Sequence, residues 1–141
     1  MNVLIVNGPN LNKLGEREPG IYGSESFNDL LKGLQQAYMK VNLSFYQSNH
    51  EGGLIDKLQE WEPFDGIVIN AGAYTHTSIA LQDALRMVQR PKVEVHISNI
   101  FAREPYRQHS YLSPAVDAVI TGMGRLGYYA AIDWLWRSTH G

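Results

Sequence analysis

Five short apolar runs alternate with stretches of helical periodicity, and that alternation limits the folds open to this chain. The runs are Val3–Val6, Leu43–Tyr46, Gly66–Ile69, Val93–Ile97 and Ala115–Ile120. Between them apolar residues recur at three and four. One set is Phe27, Leu30, Leu31 and Leu34, a second Leu54, Ile55, Leu58 and Trp61, and a third Ile79, Leu81, Ala84, Leu85 and Val88. Ser26 with Asp29 fits a capping box before the first of these helices, and Thr77-Ser78 supplies a cap for the third. A last helix is expected from about Arg125 to Arg137, with Ala130, Ile132, Leu135 and Trp136 among its apolar positions. Strands separated by helices do not pair as hairpins. They build a parallel sheet through right-handed crossovers, with helices on both faces.

The expectation is therefore an α/β three-layer sandwich, a single domain over residues 1–141 with five parallel strands in the flavodoxin-like order 2-1-3-4-5. Composition agrees. At 44% hydrophobic and 18% charged, the chain is globular rather than disordered or fibrous. Its 14 acidic and 12 basic residues carry no basic excess for nucleic acid, and no apolar run approaches the roughly 20 residues that span a bilayer. Met1–Val6 lacks the basic start and small-residue cleavage site of a signal peptide and reads as the first strand. The absence of cysteine excludes disulfides, a thiolate nucleophile and sulfur-ligated zinc. A cytoplasmic location is expected.

Within the fourth run, Glu94-Val95-His96-Ile97-Ser98 breaks the pattern of a buried parallel strand. Its two-residue period sets Glu94, His96 and Ser98 on one face and Val93, Val95 and Ile97 on the other. Two readings fit. The segment is an edge strand with one solvated face, or it carries a catalytic His held by a carboxylate at the carboxyl end of a strand. Burying such a pair without use or partner costs kilocalories.

The other loops at the expected carboxyl edge are also polar. Asn7-Gly8-Pro9-Asn10-Leu11-Asn12 opens a connection running to Gly23, far longer than a strand-to-helix turn needs, so a lid at about 10–23 is expected. Arg17 and Tyr22 lie inside it, and a cation beside a tyrosine favours the tyrosinate form. Asn70-Ala71-Gly72-Ala73-Tyr74-Thr75-His76 follows the third run. Arg103 and Arg107 are four apart and share a face if helical, where they could clamp a carboxylate; a solvated basic patch is the alternative. His76, His96, Glu94 and Asp83 could in principle hold a zinc, but the chain lacks a His-Glu-x-x-His helix or any similarly tight pair, so no metal is expected. His50, His109 and His140 read as non-catalytic. Gly122-x-Gly124-x-x-Gly127 matches a dinucleotide fingerprint, but the required second strand and acidic residue do not follow before Gly141. There is no G-x-S-x-G elbow and no Walker loop. Tyr, His, several Arg and Asn and a buried acid suit proton transfer on a carboxylated, hydroxylated small molecule, not acyl or phosphoryl transfer.

These motifs together resemble the type II 3-dehydroquinate dehydratases. The resemblance begins with Asn7–Asn12 and Gly15-x-Arg17-Glu18-Pro19-x-Ile21-Tyr22-Gly23. It continues through Ser48-Asn49-His50-Glu51-Gly52, Ile69-Asn70-x-Gly72-Ala73-Tyr74-Thr75-His76-Thr77-Ser78, Glu94–Ile100 and the Arg103/Arg107 pair. It implies a flavodoxin-like fold and conversion of 3-dehydroquinate to 3-dehydroshikimate without cofactor, metal or covalent intermediate. By matching motif, Tyr22 is the base that removes a proton α to the ketone, and Arg17 favours its tyrosinate. Asn10 holds a water against the enolate, His96 is the general acid, and Glu94 orients its imidazole. Asn70, His76, Ile97, Ser98 and Arg107 bind substrate, with Arg103 in a supporting set. Asp83 is implied to reach a neighbouring subunit's site, within a homododecamer built from trimers.

Lys13, Ala71 and Gly53 depart from the family's usual apolar residue, Pro and Glu, which bears on loop rigidity and subunit contacts. A flavodoxin-like FMN carrier or phospho-receiver is the rival class, although a receiver wants clustered acids after strand 1 and a Lys near strand 5, where this chain has Asn7 and Gly122. A metal hydrolase is a third.

Overall fold

Branched aliphatic residues favour the pleated backbone, and five strands form where they cluster: β1 (Asn2–Asn7), β2 (Asn42–Gln47), β3 (Gly66–Asn70), β4 (Lys92–His96) and β5 (Ala118–Thr121). In the computed structural model, which describes residues 1–16, 18–22 and 25–140 with Pro19 and Tyr22 by backbone alone, all pairings between them are parallel and the order is 2-1-3-4-5. The helices are α1 (Pro19–Tyr22), α2 (Phe27–Ala37), α3 (Glu51–Leu58), α4 (Ile79–Met87) and α5 (Leu126–His140). The flavodoxin-like three-layer expectation holds.

The period of two sorts each strand between two cores. Val3, Ile5, Val68, Val93 and Val95 pack with α2 and α5, while Leu4, Val6, Ile67 and Ile69 pack with α3 and α4. The central strands β1 and β3 therefore read as near-continuous apolar runs, whereas the edges β2 and β5 stay partly exposed. Helix starts follow the capping residues. Ser26 Oγ accepts from the Asp29 N–H at 3.2 Å, and Ser78 Oγ from the Leu81 N–H at 2.9 Å.

Strand ends shift by about one residue at several places, and two boundaries move by three. The fifth strand begins at Ala118 rather than Ala115, because Ser113–Ala115 form a 3-10 turn containing Pro114, which has no N–H to give a ladder. The last helix runs on to His140. The edge-strand reading of Glu94 fails, since β4 is flanked by β3 and β5 and Glu94 is fully buried. Glycines shape the turn into α5: Gly122 and Gly124 adopt φ of +85° and +59°, and a Cβ on Gly127 would press Val95 at 3.2 Å. Among the described residues no helix is long and apolar enough to cross a membrane.

Candidate active site

The loops after β1 and β3 meet because backbone replaces side chain at their contact. A Cβ on Gly8 would lie 2.2 Å from the Ala71 carbonyl oxygen, and one on Gly72, at φ +60°, would lie 3.0 Å from that of Pro9. The Gly8 N–H donates to the Asn70 carbonyl at 2.7 Å. Asn10 takes a left-handed φ of +70°, which its short polar side chain tolerates. Its N–H donates to Asn49 Oδ1 at 3.0 Å, and Gln47 Nε2 donates to the same oxygen at 3.1 Å and to the Gly8 carbonyl at 3.2 Å. This bracket fixes the chain as it enters the long connection. Lys13, farther along, is exposed and pairs with Glu16 at 3.7 Å.

A cavity of about 200 Å³ lies at this junction. Pro9, Asn10 and Leu11 line it after β1; Asn70, Gly72, Ala73 and His76 after β3; His96, Ile97, Ser98, Ile100, Arg103 and Arg107 from β4 onward. It sits where open α/β sheets place ligands, outside the carboxyl ends of the strands.

Glu94 and His96 project on the same face of β4, and His96 Nε2 hydrogen-bonds to Glu94 Oε2. Ser110 Oγ donates to the same carboxylate oxygen at 2.9 Å, and Ser113 Oγ to Oε1 at 2.7 Å. Burial alone would raise the Glu94 carboxyl, yet the bonds from His96, Ser113 and Ser110 together hold it below the ordinary carboxylate range. Glu94 is thus a buried anion, saturated with donors and set against an imidazole. The two serines come from the polar insert between β4 and β5. Its Ser110-x-x-Ser113 spacing was the available signal, and sequence reasoning passed over it.

His76 faces His96 with ring centroids 6.3 Å apart. Burial lowers its pKa, and His96 and Arg107 push the same way against the carbonyl of His109. That carbonyl sits 2.8 Å from His76 Nδ1 and can only accept, so Nδ1 carries the proton and Nε2 is left as an acceptor. His109 thereby contributes through its backbone.

Arg103 and Arg107 line the cavity without sharing a helix. Arg103 is the extended residue after the turn Ile100–Ala102, and Pro105 opens a separate turn ending at Arg107. Glu104 links them, 2.9 Å from Arg107 Nε and 3.9 Å from Arg103 Nε, and Arg103 Nη1 donates to Ser98 Oγ at 3.4 Å. Flanking arginines hold the Glu104 carboxyl below its usual range, after its own backbone N–H.

Of the remaining expected residues, Asp83 is exposed on α4, away from the cavity of its own chain. Arg17 lies outside the described residues, as does the side chain of Tyr22, whose backbone closes α1. Among the described residues, no group of three or more His, Asp or Glu could hold a metal ion.

Residues 1–136 match the family described as Dehydroquinase class II. The chain belongs to that family. It is 53% identical over 138 residues to a 3-dehydroquinate dehydratase of Acaryochloris marina, covering 95% of this chain and 92% of that one. It is 52% identical over 135 residues to a catabolic 3-dehydroquinase of Verticillium alfalfae, covering 94% and 90%. The crystal structure of type II dehydroquinase from Butyrivibrio crossotus superposes with a TM-score of 0.92 at 48% identity, covering 96% of this chain and 97% of that one. Membership in this class II dehydroquinase family agrees with the resemblance drawn from the sequence.

Proposed function

We propose that this class II dehydroquinase is a 3-dehydroquinate dehydratase, eliminating water from 3-dehydroquinate to give 3-dehydroshikimate. The observation that carries the reading is the donor-saturated Glu94 against His96, inside a cavity that Arg103 and Arg107 also line. A carboxylated, hydroxylated ring fits that set: cations for the carboxylate, His76 and Asn70 for hydroxyls, and an acid for the departing group.

In this reading Tyr22, as tyrosinate favoured by Arg17, takes the proton α to the ketone. The C–H electrons pass to the carbonyl oxygen, and the enolate is stabilised by a water held at Asn10. The enolate then reverts to ketone, the C–O bond breaks, and the leaving hydroxyl takes a proton from His96 and departs as water. The proton on Tyr22 returns to His96 through solvent. Glu94 supports the imidazolium before the transfer and the imidazole after it. The residues at about 10–23 act as a lid over a single catalytic domain, and no cofactor or metal takes part.

The same reading makes the protein a cytoplasmic homo-oligomer, a dodecamer of trimers in which Asp83 serves a neighbour's site. Ile79 and Met87 support this, being 57% and 60% exposed one turn either side of Asp83, so that α4 presents an apolar stripe with an acid at its centre.

The test is ultraviolet absorbance on adding 3-dehydroquinate to chelator-treated protein, because the product is a conjugated enone. A rise is expected, falling by about 10²–10⁴-fold in Tyr22→Phe and in His96→Ala, the range a positioned acid or base contributes. No rise from folded wild-type protein would overturn the activity. Near-normal turnover in Tyr22→Phe would overturn the mechanism.

A further inference from the structure

β1 and β3 run in register so that Asn7 and Asn70 are direct neighbours at the carboxyl edge of the sheet. By strand alternation both face α5, on the side opposite Glu94 and His96. Tyr128, in the first turn of α5, is fully buried and reaches between them. Asn70 Nδ2 donates to the Tyr128 hydroxyl oxygen at 3.0 Å, and that hydroxyl donates to Asn7 Oδ1 at 2.8 Å. Asn70 Oδ1 accepts the Gly72 N–H at 3.2 Å. Asn70 also lines the cavity.

We propose that Tyr128 is a positioning residue whose hydroxyl fixes the Asn70 amide with its second N–H available to a ligand oxygen. The logic is one of single protons. A hydroxyl has one hydrogen to give, and Asn7 Oδ1 takes it, so toward Asn70 the Tyr128 oxygen can only accept. Turning the Asn70 amide over would set its oxygen against lone pairs of Tyr128 and its NH₂ against the Gly72 N–H. Both contacts would be lost at once. The orientation of an amide in the cavity is therefore set by the Gly72 N–H on one side and, on the other, by a buried residue of α5 58 positions away in the chain.

The arrangement is not economical as packing. Asn7 Nδ2 is buried with no hydrogen-bond partner among the described residues, a cost that an apolar residue at position 7 would avoid. Asn7 supplies an oxygen that captures the Tyr128 proton, and only that capture makes the hydroxyl a strict acceptor for Asn70. Burial pushes the Tyr128 pKa far above the ordinary phenol value, so the proton stays in place across the working range.

The inference rests on the reading of Asn70 as a substrate contact, and the experiment separates the two. Crystal structures and kinetics are compared for wild type, Tyr128→Phe, Asn7→Leu, Asn70→Ala and Tyr128→Phe/Asn70→Ala. In unliganded Tyr128→Phe the Asn70 side chain should leave its contact with Gly72 or occupy two positions. An Asn70 that keeps one position and that contact overturns the proposal. With 3-dehydroquinate, KM should rise about tenfold in Tyr128→Phe, the loss of one hydrogen bond, with kcat changed by less than about threefold. Asn7→Leu keeps the tyrosine but frees its proton, and should raise KM in the same sense. The double variant should show the KM of Asn70→Ala alone, since Tyr128 acts through that amide. A purely structural role would lower the active fraction and leave KM unchanged, or multiply the two effects, and either result overturns the proposal. Wild-type protein that fails to turn over 3-dehydroquinate would sink the dehydratase reading, while the crystallographic arm still decides on Tyr128.

Discussion

Two buried polar clusters occupy the carboxyl edge of the sheet, one on each face. On the α3–α4 face Glu94 accepts from His96, Ser110 and Ser113, so both carboxylate oxygens are engaged. On the α2–α5 face Asn7, Tyr128 and Asn70 form a neutral chain, and one donor, Asn7 Nδ2, is left over. The contrast follows from what each cluster buries. An unpartnered charge in the core costs far more than an unpartnered amide N–H, so the charged cluster must be saturated while the neutral one can run one bond short. It also divides the work: a carboxylate–imidazole pair can hold and move a proton, whereas amides and a phenol of raised pKa can only orient.

The sharpest way to break the contrast is to neutralise Glu94. Glu94→Gln keeps the shape and removes the charge opposite His96. Turnover is expected to fall by about 10²-fold, the lower end of what a positioned acid contributes, with KM little changed. Stability carries a second signature. The Glu94 carboxyl is held below its usual 4.5, so its stabilising contribution is complete above that value and is lost as pH falls through the lower folded value. The gap in urea midpoint between wild type and Glu94→Gln should therefore be wide at pH 6 and close in acid. A constant gap would mean that the glutamate acts through packing alone.

Gly8→Ala strikes the ground the two clusters share. Its Cβ would enter the Ala71 carbonyl at 2.2 Å, and backbone cannot step aside as a side chain can. A loss of about 1–3 kcal/mol by denaturant unfolding is expected, from overpacking, together with impaired turnover as the β1 and β3 loops separate. A stable variant with normal KM would show that the junction is looser than its geometry implies.

How far each cluster was legible in the sequence follows from the same contrast. Glu94 and His96 stood out because charge inside an apolar strand is conspicuous at a spacing of two, and strand periodicity put them on one face. Strand order and the polar loops of the carboxyl edge were readable for a similar reason, since alternation of β and α leaves few topologies. Tyr128 was not. In an apolar helix a tyrosine looks like any large core residue, and its partners at positions 7 and 70 are joined to it only by the fold. Ser110 and Ser113 sit in an irregular insert without periodicity, where only their spacing of three marks them. Sequence offered Arg103 and Arg107 a shared face only if their segment were helical; Pro105 instead starts a new turn, and the cavity, not a helix, unites them. Asp83 is exposed because nothing in a single chain brings the outer surface of α4 to the cavity.

The smallest expected effect comes from a tyrosine bond that belongs to neither cluster. Tyr38, at the carboxyl end of α2, donates its hydroxyl to the Tyr129 carbonyl at 3.0 Å, one position along α5 from Tyr128. Tyr38→Phe should cost about 0.5–1 kcal/mol, the low end for a hydrogen bond because the site is half exposed. Turnover, KM and the acid side of the pH profile should not move, since no cavity residue depends on this hydroxyl. Burial and the nearby Asp133 raise the Tyr38 pKa above 10.0, so the protonated hydroxyl stabilises the fold up to that pH and the contribution fades as pH rises through the higher folded value. The difference between wild type and Tyr38→Phe should accordingly narrow only in strong alkali, the mirror image of the Glu94 result. Were Tyr38→Phe to raise KM as Tyr128→Phe is expected to do, α5 as a whole, rather than the one hydroxyl at Tyr128, would be what holds Asn70 in place.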